Sequence, residues 1–172
     1  IGVMKITVLE GDITRFKADV TVTAANSYLR GGGGVDGTIH KAAGPRLLEE
    51  LKKFKGCQTG DAVITEGFNL GSKFIIHAVG PVYKDGESGE EELLASAYEQ
   101  SILLADSVDA HSILFPAIST GVYGYPLEPA LSIAVNSITN TCIKNKINMA
   151  VSFVCFDGIT FRVINNIIQS NS

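Results

Sequence analysis

Two stretches of the chain carry residue types that can do chemistry. The first begins at Asn26 and runs through "RGGGGVDG", residues 30–37. An amide side chain, Asn26, and a carboxylate, Asp36, flank four consecutive glycines, and a helix-like run, "TIHKAAG", follows. Each glycine gives up more backbone entropy on folding than any other residue, so four in a row call for a sharp bend or a close approach of backbone to a ligand. A carboxylate beside such a loop can accept a proton or position a water. The second stretch is "PAISTGVYGYP", residues 116–126. Here Gly121, Gly124 and the small Ser119 and Thr120 let successive N–H groups converge on one concavity, which binds phosphate without any lysine when a helix N-terminus stands behind it.

Simpler readings stand beside these. A glycine run can be a flexible linker, although this one sits between two regular elements. Asp36 taken alone reads as a helix N-cap, a common job for aspartate. Gly32, Gly34 and Gly37 satisfy GxGxxG, but in the dinucleotide fingerprint the first glycine ends the strand directly and an acid closes the next strand. Here "NSYLRG" intervenes and the candidate acids, Glu49 and Glu50, fall within a helix, so the match is read as accidental. His77 sits in an apolar strand and reads as a satisfied core residue; His40 belongs to one face of a short helix and His111 to the surface. No HExxH, CxxC or comparable metal-ligand spacing occurs, so no metal site is expected. The absence of GxxxxGK[ST] argues against a P-loop nucleotidase.

The elements that must position these loops can be read from periodicity. Strands are expected at 4–9 and 19–24, the second ending just before Asn26. A short helix follows the glycine loop, and Pro45 opens another, with Leu47, Leu48, Leu51 and Phe54 at helical spacing opposite Glu49, Glu50, Lys52 and Lys53. "AVITEGFNLGSKFIIHAVG" reads as two strands joined through Gly67, Asn69 and Gly71. A helix from about Glu91 carries Leu94, Ala97, Ser101, Leu104 and Val108 on one stripe. "SILFPAI" reads as a buried strand, and Pro126 and Glu128 start a helix striped by Leu131, Val135, Ile138 and Cys142. "MAVSFVCF" is the last strand and "ITFRVINNII" the closing helix. Alternating strands and helices, with strands apolar on both faces, predict a three-layer α/β/α sandwich. The hairpin-like pair in the middle makes the sheet mixed.

Composition sets the outer bounds. The 172 residues are 45% hydrophobic and 19% charged, with 18 glycines and a net charge of −4. One domain, residues 4–170, is expected, with Ile1–Val3 a remnant ahead of it. The scattered lysines and arginines offer no basic face for DNA. Cys57, Cys142 and Cys155 are odd in number and unrelated in spacing, which suits reduced thiols and a cytoplasmic location. No run is long and apolar enough for a membrane span, and no signal peptide is read.

Five ordered motifs, "EGDIT", "TAANSYLRGGGGVDGTIHKAAGP", "TGDAVIT", "FIIHAVGPVY" and "FPAISTGVYGYP", together resemble a macrodomain of the MacroD type, close to the bacterial O-acetyl-ADP-ribose deacetylases. The resemblance runs from about Lys5 to Ile168. It implies a mixed sheet of about six strands between helices, and ADP-ribose as ligand, free or carrying an acetyl group or a protein; no cofactor is implied. Carried over by position, it gives Asp12 the adenine amino group with Ile13 alongside, and lays Phe156 against the adenine. Ser119, Thr120, Gly121, Val122 and Tyr123 would wrap the diphosphate. Gly33, Gly34, Val35 and Asp36 would line the distal ribose and one phosphate, and Asn26 would hold that ribose.

The reaction the resemblance implies is hydrolysis of the ester between ADP-ribose and an acetyl group or an Asp/Glu side chain of a mono-ADP-ribosylated protein. Asp36 would be general base or water-positioning group, with Asn26 orienting the sugar; a substrate phosphate is the alternative base. A non-catalytic ADP-ribose reader and an ADP-ribose 1″-phosphatase would use the same pocket. One position departs from the family pattern: the usual Asn-Ala-Ala-Asn begins here with Thr23. If that first position stitches the glycine loop, a threonine there should leave the loop looser and the turnover slower.

Overall fold

The computed structural model describes residues 5–170; Met4 and the Ile1–Val3 stretch lie outside the described residues. Six strands, β1 (Ile6–Glu10), β2 (Val20–Ala24), β3 (Ala62–Glu66), β4 (Phe74–Ala78), β5 (Ser112–Phe115) and β6 (Ala150–Cys155), form one sheet in the order β1-β6-β5-β2-β4-β3. Five of them run parallel, and β3 pairs antiparallel with β4. Gly67 and the 3-10 turn Phe68–Leu70 make that reversal, as the sequence pattern predicts.

Both faces of the sheet are buried, and strand alternation divides them between two cores. Val20, Val22, Ile76, Ala78, Ile113, Phe115, Val151 and Phe153 point to one face. There they pack against α3 (Glu90–Ser107), α4 (Leu127–Asn145) and α5 (Gly158–Ser170). Their chain neighbours Ile75, Leu114 and Val154 point to the other face, under α1 (Gly34–Ala43) and α2 (Pro45–Leu51). The result is the three-layer α/β/α sandwich with a mixed six-stranded sheet.

Boundaries move by small amounts with identifiable causes. The first strand is Ile6–Glu10, displaced toward Gly11. α2 ends at Leu51, so Phe54 reaches its core from the following turn. The larger difference is at α1, which starts inside the glycine run: Gly33 is its N-cap and Gly34 its first residue. Asp36 is therefore the third helical residue and not the cap, and the simpler N-cap reading falls.

Candidate functional site

Four loops leave the carboxyl ends of β1, β6, β5 and β2, which are neighbours in that order and all parallel. The sheet thus brings to one edge the residues the sequence separates. Asp12 and Ile13 follow β1, Phe156 follows β6, Ser119–Tyr123 follow β5, and Asn26–Asp36 follow β2. Neighbouring strands lie about 4.8 Å apart, so four strand ends span about 14 Å. In open α/β sheets this crevice is where ligands bind.

At the β1 end, Asp12 caps the 3-10 turn Ile13–Arg15, accepting from the Thr14 N–H at 2.9 Å and its hydroxyl at 2.7 Å. Those bonds hold its carboxyl below the usual aspartate range. Ile13 is buried beneath it. Phe156 is 77% exposed, so its ring is no part of the core.

The loop after β5 is anchored from behind. The Tyr98 hydroxyl, buried on α3, donates to the Pro116 carbonyl at 3.3 Å and accepts from the Ile118 N–H at 2.9 Å. Gly80, after β4, makes room for the loop, since a Cβ there would run into Ser119 Oγ and Ile118 Cγ2. Ser119 itself has φ of 70°, a left-handed conformation uncommon for serine. Its hydroxyl is buried without a hydrogen-bond partner among the described residues. An unpartnered polar group on a non-glycine left-handed residue points to a function for the loop. Val122 and Gly121 are exposed on its rim.

The loop after β2 is organised by Asn26. Its Nδ2 donates to the Gly31 carbonyl at 2.9 Å, and its Oδ1 accepts from the N–H groups of Tyr28 at 3.1 Å and Arg30 at 3.5 Å. The premise that position 23 stitches the loop does not hold here, because Asn26 makes these bonds. Thr23 is fully buried and its hydroxyl donates to Asp36 Oδ1 at 2.8 Å, so it holds the carboxylate and not the loop. Gly37 lets the loop lie against α1, since a Cβ there would overlap the Gly32 carbonyl.

Asp36 is 4% exposed in the first turn of α1. Burial raises its pKa, opposed by the Thr23 hydroxyl and by His40, whose Nε2 lies 3.5 Å from Oδ1. Oδ1 is thus engaged, whereas Oδ2 and Asn26 Nδ2 both face Gly32, within 4 Å of where its side chain would begin. A raised carboxylate with one oxygen fixed and the other directed at a glycine loop is equipped to take a proton. The helix N-terminus beside it favours a nearby anion.

His40 and His77 are what the sequence reading missed. His77 lies on β4 opposite Thr23 on β2, both facing α1, where Asp36 and His40 sit one turn apart. Asp36, His40 and His77 each offer a ligand atom within 4.8 Å of the others. His77 is only half satisfied: Nε2 is 3.0 Å from Thr65 Oγ1, but Nδ1 has no partner among the described residues. Asp36 and His40 share the local i, i+4 spacing, but the third member needs the β2–β4 register to be seen. A groove of about 890 Å³, lined by Ser27–Arg30, by Leu48, Leu51 and Lys52, and by the segment Phe54–Gln58, holds none of the expected site residues.

Comparison with known proteins gives the same outline. The Macro domain family model matches residues 22–134. A macro domain-containing protein of Methanosarcina mazei is 52% identical over 157 residues, 91% of this chain and 84% of that protein. An O-acetyl-ADP-ribose deacetylase of Escherichia fergusonii is 48% identical over 168 residues, 95% of each chain. A structure of an Oceanobacillus iheyensis macrodomain mutant with ADPR superposes with a TM-score of 0.90 at 39% identity, covering 95% of this chain and 91% of that one.

Proposed function

The chain belongs to the macro domain family, and from that premise we propose that it is an ADP-ribose-binding hydrolase that cleaves ester-linked groups from the distal ribose. O-acetyl-ADP-ribose and proteins mono-ADP-ribosylated on Asp or Glu are its substrates in this reading. The observation that carries it is the buried Asp36, with Oδ1 held by Thr23 and Oδ2 near Gly32 of the glycine loop. A reader module needs donors for the ribose and phosphates; it does not need a buried, raised-pKa carboxylate.

The order of the loops supports the assignment of subsites. Asp12, Ile13 and Phe156, at adjacent strand ends, take the adenine; the Ser119–Tyr123 loop takes the diphosphate; Gly33, Gly34 and Val35 with Asn26 and Asp36 take the distal ribose. In the chemical step a water oxygen attacks the ester carbonyl carbon while its proton passes to Asp36 Oδ2. The tetrahedral intermediate then collapses, the bond from the carbonyl carbon to the ribose oxygen breaks, and that oxygen takes the proton back from Asp36, which returns to its carboxylate form. Products are the free acid and ADP-ribose. Asn26 orients the sugar, and the water-excluding walls around Asp36 strengthen its interaction with the proton.

The test has two arms. O-acetyl-ADP-ribose and a glutamate-linked mono-ADP-ribosylated protein are each incubated with the protein, and release of acetate or of ADP-ribose is followed. Turnover of either supports the hydrolase. Saturable binding of ADP-ribose with no turnover of either would replace it with a reader.

A further inference from the structure

We infer that Asp36, His40 and His77 form a binding site for a divalent metal of the zinc class, and that its occupation switches the hydrolase off. The second half rests on the proposed function; the first does not. Two histidines and a carboxylate are the donor set of many sites for such metals. Here the set arises from two regular elements: an i, i+4 pair on α1 set over a cross-strand pair of β2 and β4. The three ligand atoms already lie within 4.8 Å of one another. Bond lengths of about 2.0–2.1 Å place tetrahedral ligands about 3.4 Å apart. The remaining gap, at most about 1.4 Å from the tetrahedral spacing, is within reach of χ rotation in His40, whose side chain keeps some exposure, unlike the buried His77.

An independent observation points to a ligand. The Thr65 hydroxyl has one hydrogen and is placed to donate it to the Glu66 carbonyl at 3.1 Å. Thr65 Oγ1 then accepts from His77 Nε2–H at 3.0 Å, which leaves Nδ1 as a bare lone pair in a fully buried ring. That is the tautomer a metal requires, with Thr65 as the outer partner fixing it. Thr23 does the same for Asp36 through Oδ1. The buried His77 Nδ1 has no hydrogen-bond partner among the described residues and belongs to a ring whose centroid lies 6.2 Å from that of His40, an unmet need that a cation satisfies. Metal held there takes the Asp36 carboxylate out of use as a base, so the bound form cannot turn over.

The experiment uses Co²⁺ and Zn²⁺ on the whole chain. Co²⁺ should give visible d–d bands saturating at one equivalent, displaced by Zn²⁺. His77→Gln keeps an amide donor toward Thr65 but removes the Nδ1 ligand; it should abolish the bands while retaining ADP-ribose affinity. Should that variant not fold, ¹⁵N NMR of the native imidazoles decides, because His77 Nδ1 must shift on addition of one equivalent of Zn²⁺. No bands at one equivalent, bands unchanged in folded His77→Gln, or an unmoved His77 Nδ1 would overturn the site. Zn²⁺ should lower hydrolysis at least tenfold and EDTA should restore it; metal binding without inhibition overturns the switch alone. If no ester is ever hydrolysed, the proposed function fails while the spectra still decide the site.

Discussion

Replacing Thr23 by valine removes one hydroxyl and almost no volume, so its effect can be worked from a single bond. That bond is 2.8 Å long, from a fully buried donor to Asp36 Oδ1 in a carboxylate only 4% exposed. Hydrogen bonds to charged groups in proteins contribute about 1.5–3 kcal/mol. At about 1.36 kcal/mol per pH unit, losing this one raises the Asp36 pKa by a further 1–2 units or so. The acid limb of kcat/KM for O-acetyl-ADP-ribose should therefore move up by about 1–2 pH units, with the plateau above it little changed. Stability carries a matching signature. Burial already sets the folded pKa of Asp36 above its usual value of 3.8, so ionising it opposes folding and Thr23 offsets part of that cost. Above the folded pKa the variant should lose about 1.5–3 kcal/mol, or roughly 3–12 °C in Tm for a chain of this size. The gap should close as pH falls and the carboxyl protonates in both proteins. Thr23→Ser keeps the hydroxyl and should retain most of the wild-type profile. The pH–rate profile, recorded with EDTA present, is the assay. An acid limb that does not move in Thr23→Val, or one that moves equally in Thr23→Ser, would refute the role given to this bond.

Asp36→Ala should lower ester hydrolysis by about 10²–10⁴-fold if its carboxylate is the base, with a much smaller loss of ADP-ribose affinity by calorimetry; turnover equal to wild type per folded molecule removes Asp36 from the chemistry. Phe156→Ala should weaken ADP-ribose binding by about 1–3 kcal/mol, the range for base–aromatic stacking, with Tm nearly unchanged because the ring is exposed. Tyr98→Phe strands the buried Ile118 N–H and should cost about 1–3 kcal/mol in denaturant unfolding, with weaker ADP-ribose binding as the diphosphate loop loosens. Glu90 accepts from the N–H groups of Lys84, Asp85, Gly86 and Ser88, the first three bonds helping to hold its pKa down to about 2. Its contribution is complete above the ordinary glutamate value near 4.5 and lost as pH falls through about 2, so the Tm difference between wild type and Glu90→Gln should narrow over that interval.

The layers and the loops were legible because their signals are local. Strand alternation, helical stripes and the turn chemistry at Gly67–Gly71 each depend on neighbours in the chain, and the antiparallel β3–β4 pair followed from them. What escaped depends on distant residues. Asp36 reads as an N-cap until the helix is seen to start at Gly34, with Gly37 close against the Gly32 carbonyl. The exchange of roles between Thr23 and Asn26 was invisible because both are polar residues near one strand end. Only the side on which each emerges separates them, Thr23 toward α1 and Asn26 into the loop. His77 reads as core in any window of sequence; its unpartnered nitrogen follows from register and from which way Thr65 spends its hydrogen. Neither Gly80 nor Tyr98 signals its role locally, and their service to the Ser119 loop is a matter of packing across the sheet.

The alignment of four loops along adjacent strand ends also bears on how a cell would experience such a hydrolase. In the proposed reading the adenine falls to the ends of β1 and β6, the diphosphate to β5 and the distal ribose to β2, and every one of those groups survives the reaction intact. Only the acyl end changes, and none of the named contacts is made to it. Substrate and released ADP-ribose are thus held by nearly the same interactions, which bind ground state and product alike and lend little to the barrier. Under the proposed function, product inhibition follows from this layout. ADP-ribose added to the assay should then compete with the ester, and its release should slow turnover.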